Sequence, residues 1–387
     1  MTAQGLNFKE LVSFARGLYG VGSVPLHRPV FEGNEISYLT DCVSSNFVSS
    51  VGVYVDRFED QLKNITGVNH VIAMANGTAA LHMALLAANV QVDDEVITQS
   101  VSFVATCNSI RYAGAWPVFV DVDEDTMSLS PQSLQQFLEQ NASSKNGQVV
   151  NRSSGRVIRA VIPMHTFGFP GRASEIRAIC DEWGLILIDD AAEALGSYDE
   201  HGHVGIQAHV ATLSFNGNKV VTTGGGGAIF TNSDDIAALA RHLSTTAKVA
   251  GEGYFNHDMV GYNFRLPALN AALGVAQLER LEIMLEQKRE IEEAWDRFLS
   301  ACGYETVKPR SGTRTNNWLT TFLVKDRSER DSLLDYANHH GVMLRPMWRL
   351  MSSLPMFEHC QTDGLKVSKW LEDRVVNLPS SVRMSKS

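Results

Sequence analysis

Val71-Ile-Ala-Met-Ala-Asn-Gly-Thr-Ala-Ala-Leu-His-Met-Ala-Leu-Leu-Ala-Ala88 holds the unit from which the fold is read. Val71 to Ala75 is apolar throughout and short, so it reads as a buried strand. Asn76-Gly77 breaks the run. Gly77 to Ala88 then continues apolar for long enough to be a buried helix. The same unit repeats downstream. Strands are expected at Glu95–Val101, Pro117–Val122, Arg159–Met164 and Leu185–Asp189, with helices at Ala105–Ala113, Ser130–Glu139 and Ala173–Trp183 between or after them. Two more short strands, Ala211–Phe215 and Ala228–Thr231, flank a glycine-rich turn. Alternating short strands and helices predict an α/β domain around a mostly parallel sheet.

The flanks read differently. Residues 7–19 have helical apolar spacing, with Asn7 as N-cap, and helices are also expected at 34–45 and 54–65. Residues 141–156 are polar, with turn signals at Asn146-Gly147 and Ser154-Gly155. They read as a surface excursion or as a lid over a bound substrate. Asp234–Ser244 is a helix. Leu269 to about Phe298 reads as one long helix opened by Pro267. A strand at 316–325, a helix from the N-cap Ser328 to His339 and a strand at Val342–Arg345 follow. These patterns divide the chain into a large domain, 25–265, and a smaller α+β domain, 266–387. The N-terminal helices, within 1–65, pack partly on the smaller one.

The chain has 387 residues, 44% hydrophobic and 20% charged, which is enough for a large core and about two domains. Its net charge of −10 is dispersed and includes no basic stripe, which argues against a nucleic-acid partner. No signal peptide or membrane span is read, and a cytoplasmic location is expected. Five scattered cysteines without a C-x-x-C pair predict reduced thiols, neither a disulfide framework nor a zinc site. His201-x-His203 and His339-His340 lack further ligand spacing, so no metal is expected.

The chemistry gathers at strand ends. Ser214-Phe-Asn-Gly-Asn-Lys219 follows a strand, precedes four glycines, Gly224–Gly227, and presents one lysine. It is either a surface lysine beside a flexible turn or a desolvated amine meant for a Schiff base with pyridoxal phosphate (PLP). Such a cofactor also needs an acid on its ring nitrogen. Asp189-Asp190 stands at the carboxyl end of a buried strand, where open sheets bind ligands, although the pair could also cap a helix. Magnesium would need more oxygen ligands than this stretch has. Asn76-Gly77-Thr78-Ala79 opens a helix and can cradle a phosphate on its N–H groups, or be an ordinary turn. Phe103, just past a strand, can cover a flat ring or be plain core. Neither nucleotide-binding glycine motif, G-x-x-x-x-G-K-[ST] or G-x-G-x-x-G, is present.

Gly77-Thr78-Ala79, Asp190-Ala-Ala-Glu193, Ser214-x4-Lys219 and Gly261-Tyr-Asn-Phe-Arg265, in that order, resemble the DegT/DnrJ/EryC1/StrS family of PLP-dependent nucleotide-sugar aminotransferases. The resemblance runs from about Pro25 to the C-terminus. It implies PLP-dependent transferase fold type I, with a mostly parallel seven-stranded sheet. Lys219 would hold PLP and Asp190 its ring nitrogen. Gly77, Thr78, the amide of Ala79 and Ser214 would hold its phosphate, with Phe103 on the ring. Glu193 stands near the ring hydroxyl, where many members have glutamine or histidine; a carboxylate beside a phenolate is unfavourable unless one shares a proton. Asn263 would reach the phosphate of a neighbouring subunit, which implies a homodimer with interfacial active sites.

The resemblance further implies L-glutamate as donor, with pyridoxamine phosphate as the aminated form of the cofactor. Pro163-Met-His-Thr-Phe-Gly168, Thr245-Thr-Ala-Lys248 and Arg345-Pro-Met-Trp-Arg-Leu350 look most like the branch that aminates C4 of a nucleotide-linked 4-keto-6-deoxy-N-acetylhexosamine. The carrier is expected to be UDP, and the product a surface-glycan sugar of bacillosamine or legionaminic-acid type. His165, Lys248, Arg265 and Arg345 are the substrate candidates. The alternatives are a 3-keto sugar substrate, a PLP-dependent sugar dehydratase, in which histidine replaces the lysine, and a non-enzymatic PLP-binding protein.

Overall fold

The computed structural model describes residues 6–249, 251 and 255–383; residues 1–5 and 384–387, the outer ends of the expected N- and C-terminal segments, lie outside them. Three helices come first: α1 (Phe8–Tyr19), α2 (Glu35–Ser44) and α3 (Val53–Thr66). Asn7 caps α1 by accepting the N–H groups of Lys9 and Glu10. The alternating region follows as β1 (His70–Met74), α4 (Gly77–Ala87), β2 (Glu95–Gln99), α5 (Val104–Tyr112), β3 (Trp116–Val120) and α6 (Pro131–Asn141). A hairpin, β4 (Ala142–Lys145) and β5 (Gln148–Asn151), leads to β6 (Ile158–Ile162), α7 (Ala173–Trp183) and β7 (Ile186–Asp190). A small ladder, β8 (Tyr198–Asp199) and β9 (Gly202–His203), precedes β10 (Val210–Ser214), β11 (Gly227–Thr231) and α8 (Asp234–Ser244).

Seven strands form one sheet in the order β1-β11-β10-β7-β6-β2-β3. The ladders between β2, β3, β6, β7 and β10 are parallel, whereas β11 runs antiparallel to both β1 and β10. The strands alternate between two cores, as their two-residue period requires. Val71 and Ala73 join Phe58 of α3, Leu134 of α6 and Ile176 of α7 on one face. Ile72 and Met74 join Met83 of α4, Ile110 of α5 and Ala240 of α8 on the other. Helices cover both faces, so only the strand ends are free to make a site.

The rest of the chain is β12 (Lys248–Val249), β13 (Asn256–His257), α9 (Ala268–Leu278), α10 (Leu281–Ala301), β14 (Thr320–Leu323), α11 (Arg327–His339), β15 (Arg345–Pro346), α12 (Lys366–Glu372) and β16 (Val375–Leu378). β16 lies at the centre of a three-stranded sheet with β14 and β15, a strand the sequence reading missed. The single long helix expected from Leu269 is two helices. The break falls at Glu279-Arg280, where the Glu279 carboxylate accepts from Asn34 and Tyr38 and Arg280 leaves helical geometry at φ −107° and ψ 1°. α9 packs its buried face on the large sheet's core. α10 passes between cores, with Leu281 and Met284 in that one and Ile291, Trp295 and Leu299 in a second one shared with α1, β14 and β16. α11 is capped by Asp326, whose Oδ1 accepts the Glu329 N–H at 3.0 Å, not by Ser328.

The polar stretch 141–156 contains the expected Asn146-Gly147 turn, both residues at positive φ. It is not a lid over the strand ends described below. Asn151 Nδ2 donates to Glu95 Oε2 at the amino end of β2, the opposite end of the sheet. The five cysteines are free. Among the described residues no helix is long and apolar enough to cross a membrane, and no His/Cys/Asp/Glu group has the geometry to hold a metal.

The first turn of α4 abuts the start of β11 so closely that a Cβ on Gly227 would lie 2.5 Å from Asn76 O and 2.7 Å from Gly77 N. Gly225, two residues earlier, has open space at that position. Gly227→Ala is therefore expected to cost about 1–3 kcal/mol in urea unfolding through overpacking, and Gly225→Ala well under 1 kcal/mol. Equal losses would show that the close approach is not a constraint.

Candidate active site

A cleft of about 320 Å³ opens where β1, β7 and β10 end. Its floor is Asp190, the last residue of β7 and nearly fully buried. The carboxylate is aimed by two donors: Thr106 Oγ1 of α5 at 2.7 Å to Oδ2, and the Ala192 N–H at 3.2 Å to Oδ1. Burial raises the pKa of Asp190 against the pull of these bonds and of the Lys219 cation. A buried carboxylate of this kind favours a cationic N–H directly against it. Asp189, the next residue back, points to the other face and pairs with His165.

Lys219 enters from the turn after β10. That turn is built by the glycine run folding back: Phe215 N–H donates to Gly226 O, and Thr223 N–H to Phe215 O. The lysine Nζ donates to Glu193 Oε1 at 3.0 Å and lies 4.1 Å from the centre of the Trp318 ring. Glu193 is buried, and its other oxygen accepts the Phe167 N–H at 2.9 Å. Phe167 holds that N–H in place from a left-handed backbone, φ +56°. Burial pushes the Glu193 carboxyl up to about 7, against the lowering effect of Lys219. The departure noted in the sequence is therefore a carboxyl that can hold a proton near neutrality.

The opposite wall is the N-terminus of α4. Among the described residues no acceptor reaches the Gly77 and Thr78 N–H groups, and the Thr78 and Ser214 side chains line the same cleft. Gly77 is required here, because a Cβ would lie 2.8 Å from that of Ser214. The expectation for Ala79 is corrected: its N–H is taken by the capping Asn76 Oδ1 at 2.8 Å. Phe103 stands half-exposed at the N-cap of α5 and lines the cleft, 6.3 Å from Trp348 between ring centres. A cleft with an orphaned anion cradle, a lysine and a buried acid separated by flat apolar walls fits a phosphorylated pyridine aldehyde.

The four expected substrate residues lie outside this cleft. His165 is buried with both ring nitrogens engaged: Nδ1 accepts the Gly171 N–H and Nε2 faces Asp189 Oδ2, each at 2.9 Å. It has nothing left for a substrate. Arg265 is little exposed, with Nη2 at 3.0 Å from Glu59 Oε1 and Nη1 without a hydrogen-bond partner among the described residues. Lys248 lies on exposed β12 against Phe255. Arg345 bonds Asn338 and Leu344, and lines a second cavity of about 520 Å³ that shares Asn218, Trp318 and Trp348 with the cleft. Asn263 is bridged to Thr245, away from the cleft of its own chain.

Sequence reading missed Thr106, Trp318 and Trp348. Thr106 carries no local signal, because only the fold brings α5 beside β7. The two tryptophans did carry one, being large rings with a polar handle in the last quarter of the chain.

The cleft defines a pyridoxal-phosphate enzyme of the aminotransferase class. The chain belongs to the DegT/DnrJ/EryC1/StrS aminotransferase family, whose model matches residues 29–387. It is 36% identical over 360 residues to the GDP-perosamine synthase of Vibrio cholerae, covering 92% of this chain and 94% of that protein. It is 32% identical over 363 residues to the GDP-perosamine synthase of Caulobacter vibrioides, covering 93% of each. The crystal structure of a DegT DnrJ EryC1 StrS aminotransferase from Brucella abortus matches with a TM-score of 0.82 at 28% identity, over 91% of both chains. The protein is thus a PLP-dependent sugar aminotransferase.

Glu193 gives a pH signature in the cofactor-free protein. Its carboxyl titrates at 4.5 when unfolded and at about 7 when folded, so between these values the folded state binds more protons. Stability must then fall as pH rises from about 4.5 to 7, by an amount on the order of 3 kcal/mol. Glu193→Gln lacks this term. Urea unfolding at pH 5 and pH 8 should show the variant gaining on the wild type by up to that amount at the higher pH. A constant difference would remove the assignment.

Proposed function

We propose that the protein transfers the amino group of L-glutamate to the C4 ketone of a nucleotide-linked 4-keto-6-deoxy sugar, giving a 4-amino-4,6-dideoxy sugar for a surface glycan. The reading is carried by the Lys219–Glu193 pair above Asp190, together with near full-length similarity to proteins named for perosamine, a 4-amino-4,6-dideoxyhexose. Those names favour GDP and a simple hexose over the UDP-linked N-acetylhexosamine expected from sequence. The second cavity supports a nucleotide-linked substrate: beyond Trp318 and Trp348 it presents Arg345 and Arg349, cations suited to a diphosphate. The free cysteines accord with a cytoplasmic setting.

Bound PLP supplies an aldehyde that exchanges with amines and a ring that absorbs the electron pair left by a broken C–H bond. The chain does the rest. Asp190 would hold a proton on the ring nitrogen and so keep that ring electron-poor. Gly77, Thr78 and Ser214 would hold the phosphate. Glu193 holds the Lys219 Nζ by a hydrogen bond at 3.0 Å and so orients it in the cleft. Lys219 Nζ then takes the α-proton of glutamate in one half-reaction and delivers a proton to sugar C4 in the other. Trp318 and Trp348 limit water at that nitrogen, whose side chain is only 14% exposed.

The purified protein with L-glutamate should form 2-oxoglutarate with a GDP-linked 4-keto-6-deoxyhexose and far less with the UDP-linked N-acetylated or 3-keto analogues. Lys219→Ala should abolish turnover and the absorbance near about 400–430 nm. Activity confined to the UDP or 3-keto arms would overturn the substrate, and inactivity on all of them the function.

We further infer a homodimer in which Asn263 of one copy completes the phosphate site of the other, since Asn263 does not face its own cleft. Lys219→Ala and Asn263→Ala proteins are each expected to be nearly inactive. Unfolded together and refolded, they should recover about a quarter of wild-type activity, because half the dimers then carry one intact site. No recovery would place Asn263 in its own subunit's site or in none.

A further inference from the structure

Lys288 is a fully buried lysine on α10, whose neighbours on the same helix face, Met284, Ile291 and Trp295, are apolar. An apolar side chain would suit that face. Among the described residues no carboxylate pairs with the ammonium. Its Nζ instead donates to three backbone carbonyls: Asn317 O at 3.3 Å, Trp318 O at 3.1 Å and Ser380 O at 2.8 Å. Burial alone pushes its pKa down to about 7, which measures how unfavourable the position is for a cation.

What the lysine secures is the irregular segment just before β14. No backbone N–H among the described residues reaches these three carbonyls, and Asn317 is held at a left-handed φ of +49°. The segment is tied from the other side by Asn316. Its Oδ1 accepts the Trp318 N–H at 2.8 Å, and its Nδ2 donates to Glu193 O and Leu195 O. The indole N–H donates to Asn218 O at 2.6 Å, next to Lys219. Trp318 is therefore fixed at its N–H, its carbonyl and its ring, with the ring face over the Lys219 amine.

We propose that Lys288 is a positioning residue for the active site: it fixes the backbone of Asn317 and Trp318 so that the Trp318 ring stays over Lys219 and walls both cavities. The proposal rests on the reading of Lys219 as the cofactor lysine. Removing the ammonium leaves two carbonyls of this segment unsatisfied in the interior. The segment then relaxes toward water, and the indole moves off the amine.

The test uses Lys288→Met, Lys288→Arg, Trp318→Leu, the double variant Lys288→Met/Trp318→Leu and, as the fluorescence blank in each Lys288 background, Trp318→Phe. In the cofactor-free protein, acrylamide quenching of Trp318, obtained by subtracting the Trp318→Phe signal, should rise at least twofold in Lys288→Met and return toward wild type in Lys288→Arg. This arm needs no catalysis, so it separates failure of the proposal from failure of the functional reading. In the loaded enzyme Lys288→Met should lower kcat/KM tenfold or more, and should lower it no further once Trp318 is leucine. Should Lys288→Met fail to fold, Lys288→Gln, which keeps two donors on a shorter chain, takes its place in both arms. Unchanged quenching with a lower Tm makes Lys288 a plain staple of the C-terminal sheet and overturns the proposal. So do losses from the two single substitutions that multiply in the double variant.

Discussion

The site depends on one close approach of backbone to backbone. The end of β1 with the first turn of α4, the end of β10 and the start of β11 meet where Gly77 faces Ser214 and Gly227 faces Asn76, with no room for a Cβ on either glycine. This contact sets the unbonded amides of α4 beside the Ser214 hydroxyl. It also fixes the point from which the glycine run returns to Phe215 and throws out Lys219. The antiparallel direction of β11 follows from the same geometry. The chain leaves β10, turns through Gly224–Gly227 and must come back alongside it. The open amides of α4 and the position of the lysine are thus two products of one packing constraint.

Charge at the centre of the cleft is arranged so that no buried ion stands without a compensating group. Asp190 has two hydrogen-bond donors, and its raised pKa leaves it favouring a cationic partner. Glu193 and Lys219 share a contact of 3.0 Å, in which the position of the proton depends on what else enters. Buried pairs of this type add little net stability, because desolvation offsets much of the Coulomb attraction. Their value here is chemical. A carboxyl titrating at about 7 can gain or lose a proton near neutrality while it holds the lysine nitrogen in place.

The fold was legible because short apolar runs alternate with longer helical ones. The run from Val71 and the twelve-residue stretch from Gly77 appear in the structure as β1 and α4. That Lys219 and Asp190 reach one cleft was legible because an open sheet gathers side chains at the carboxyl ends of its strands. What was not legible is what depends on contacts distant in sequence. The break at Glu279-Arg280 has no Gly or Pro to mark it; it is fixed by Asn34 and Tyr38, about 240 residues upstream. Thr106 acts on Asp190 at a separation of 84 residues. His165 read as a polar residue in a motif, but whether its ring faces a cleft or Asp189 is decided only when β6 and β7 pair.

Arg265 shows how a motif residue can be tied into the fold that carries it. Its guanidinium is held by Glu59 of α3, and the same Glu59 oxygen accepts the Ala73 N–H of β1. Ala75 N–H then donates to Phe264 O, and Met74 bridges to Arg265. The Gly261–Arg265 segment is stitched along β1, the strand that leads into the open amides of α4. Arg265 Nη2 therefore anchors that segment, while Nη1 is left without a partner among the described residues. This anchoring is what gives Asn263, two residues before it, a fixed position away from its own cleft. A binding motif read from sequence combines residues that touch ligands with residues that hold them in place. Burial and partner, not residue type, tell the two apart.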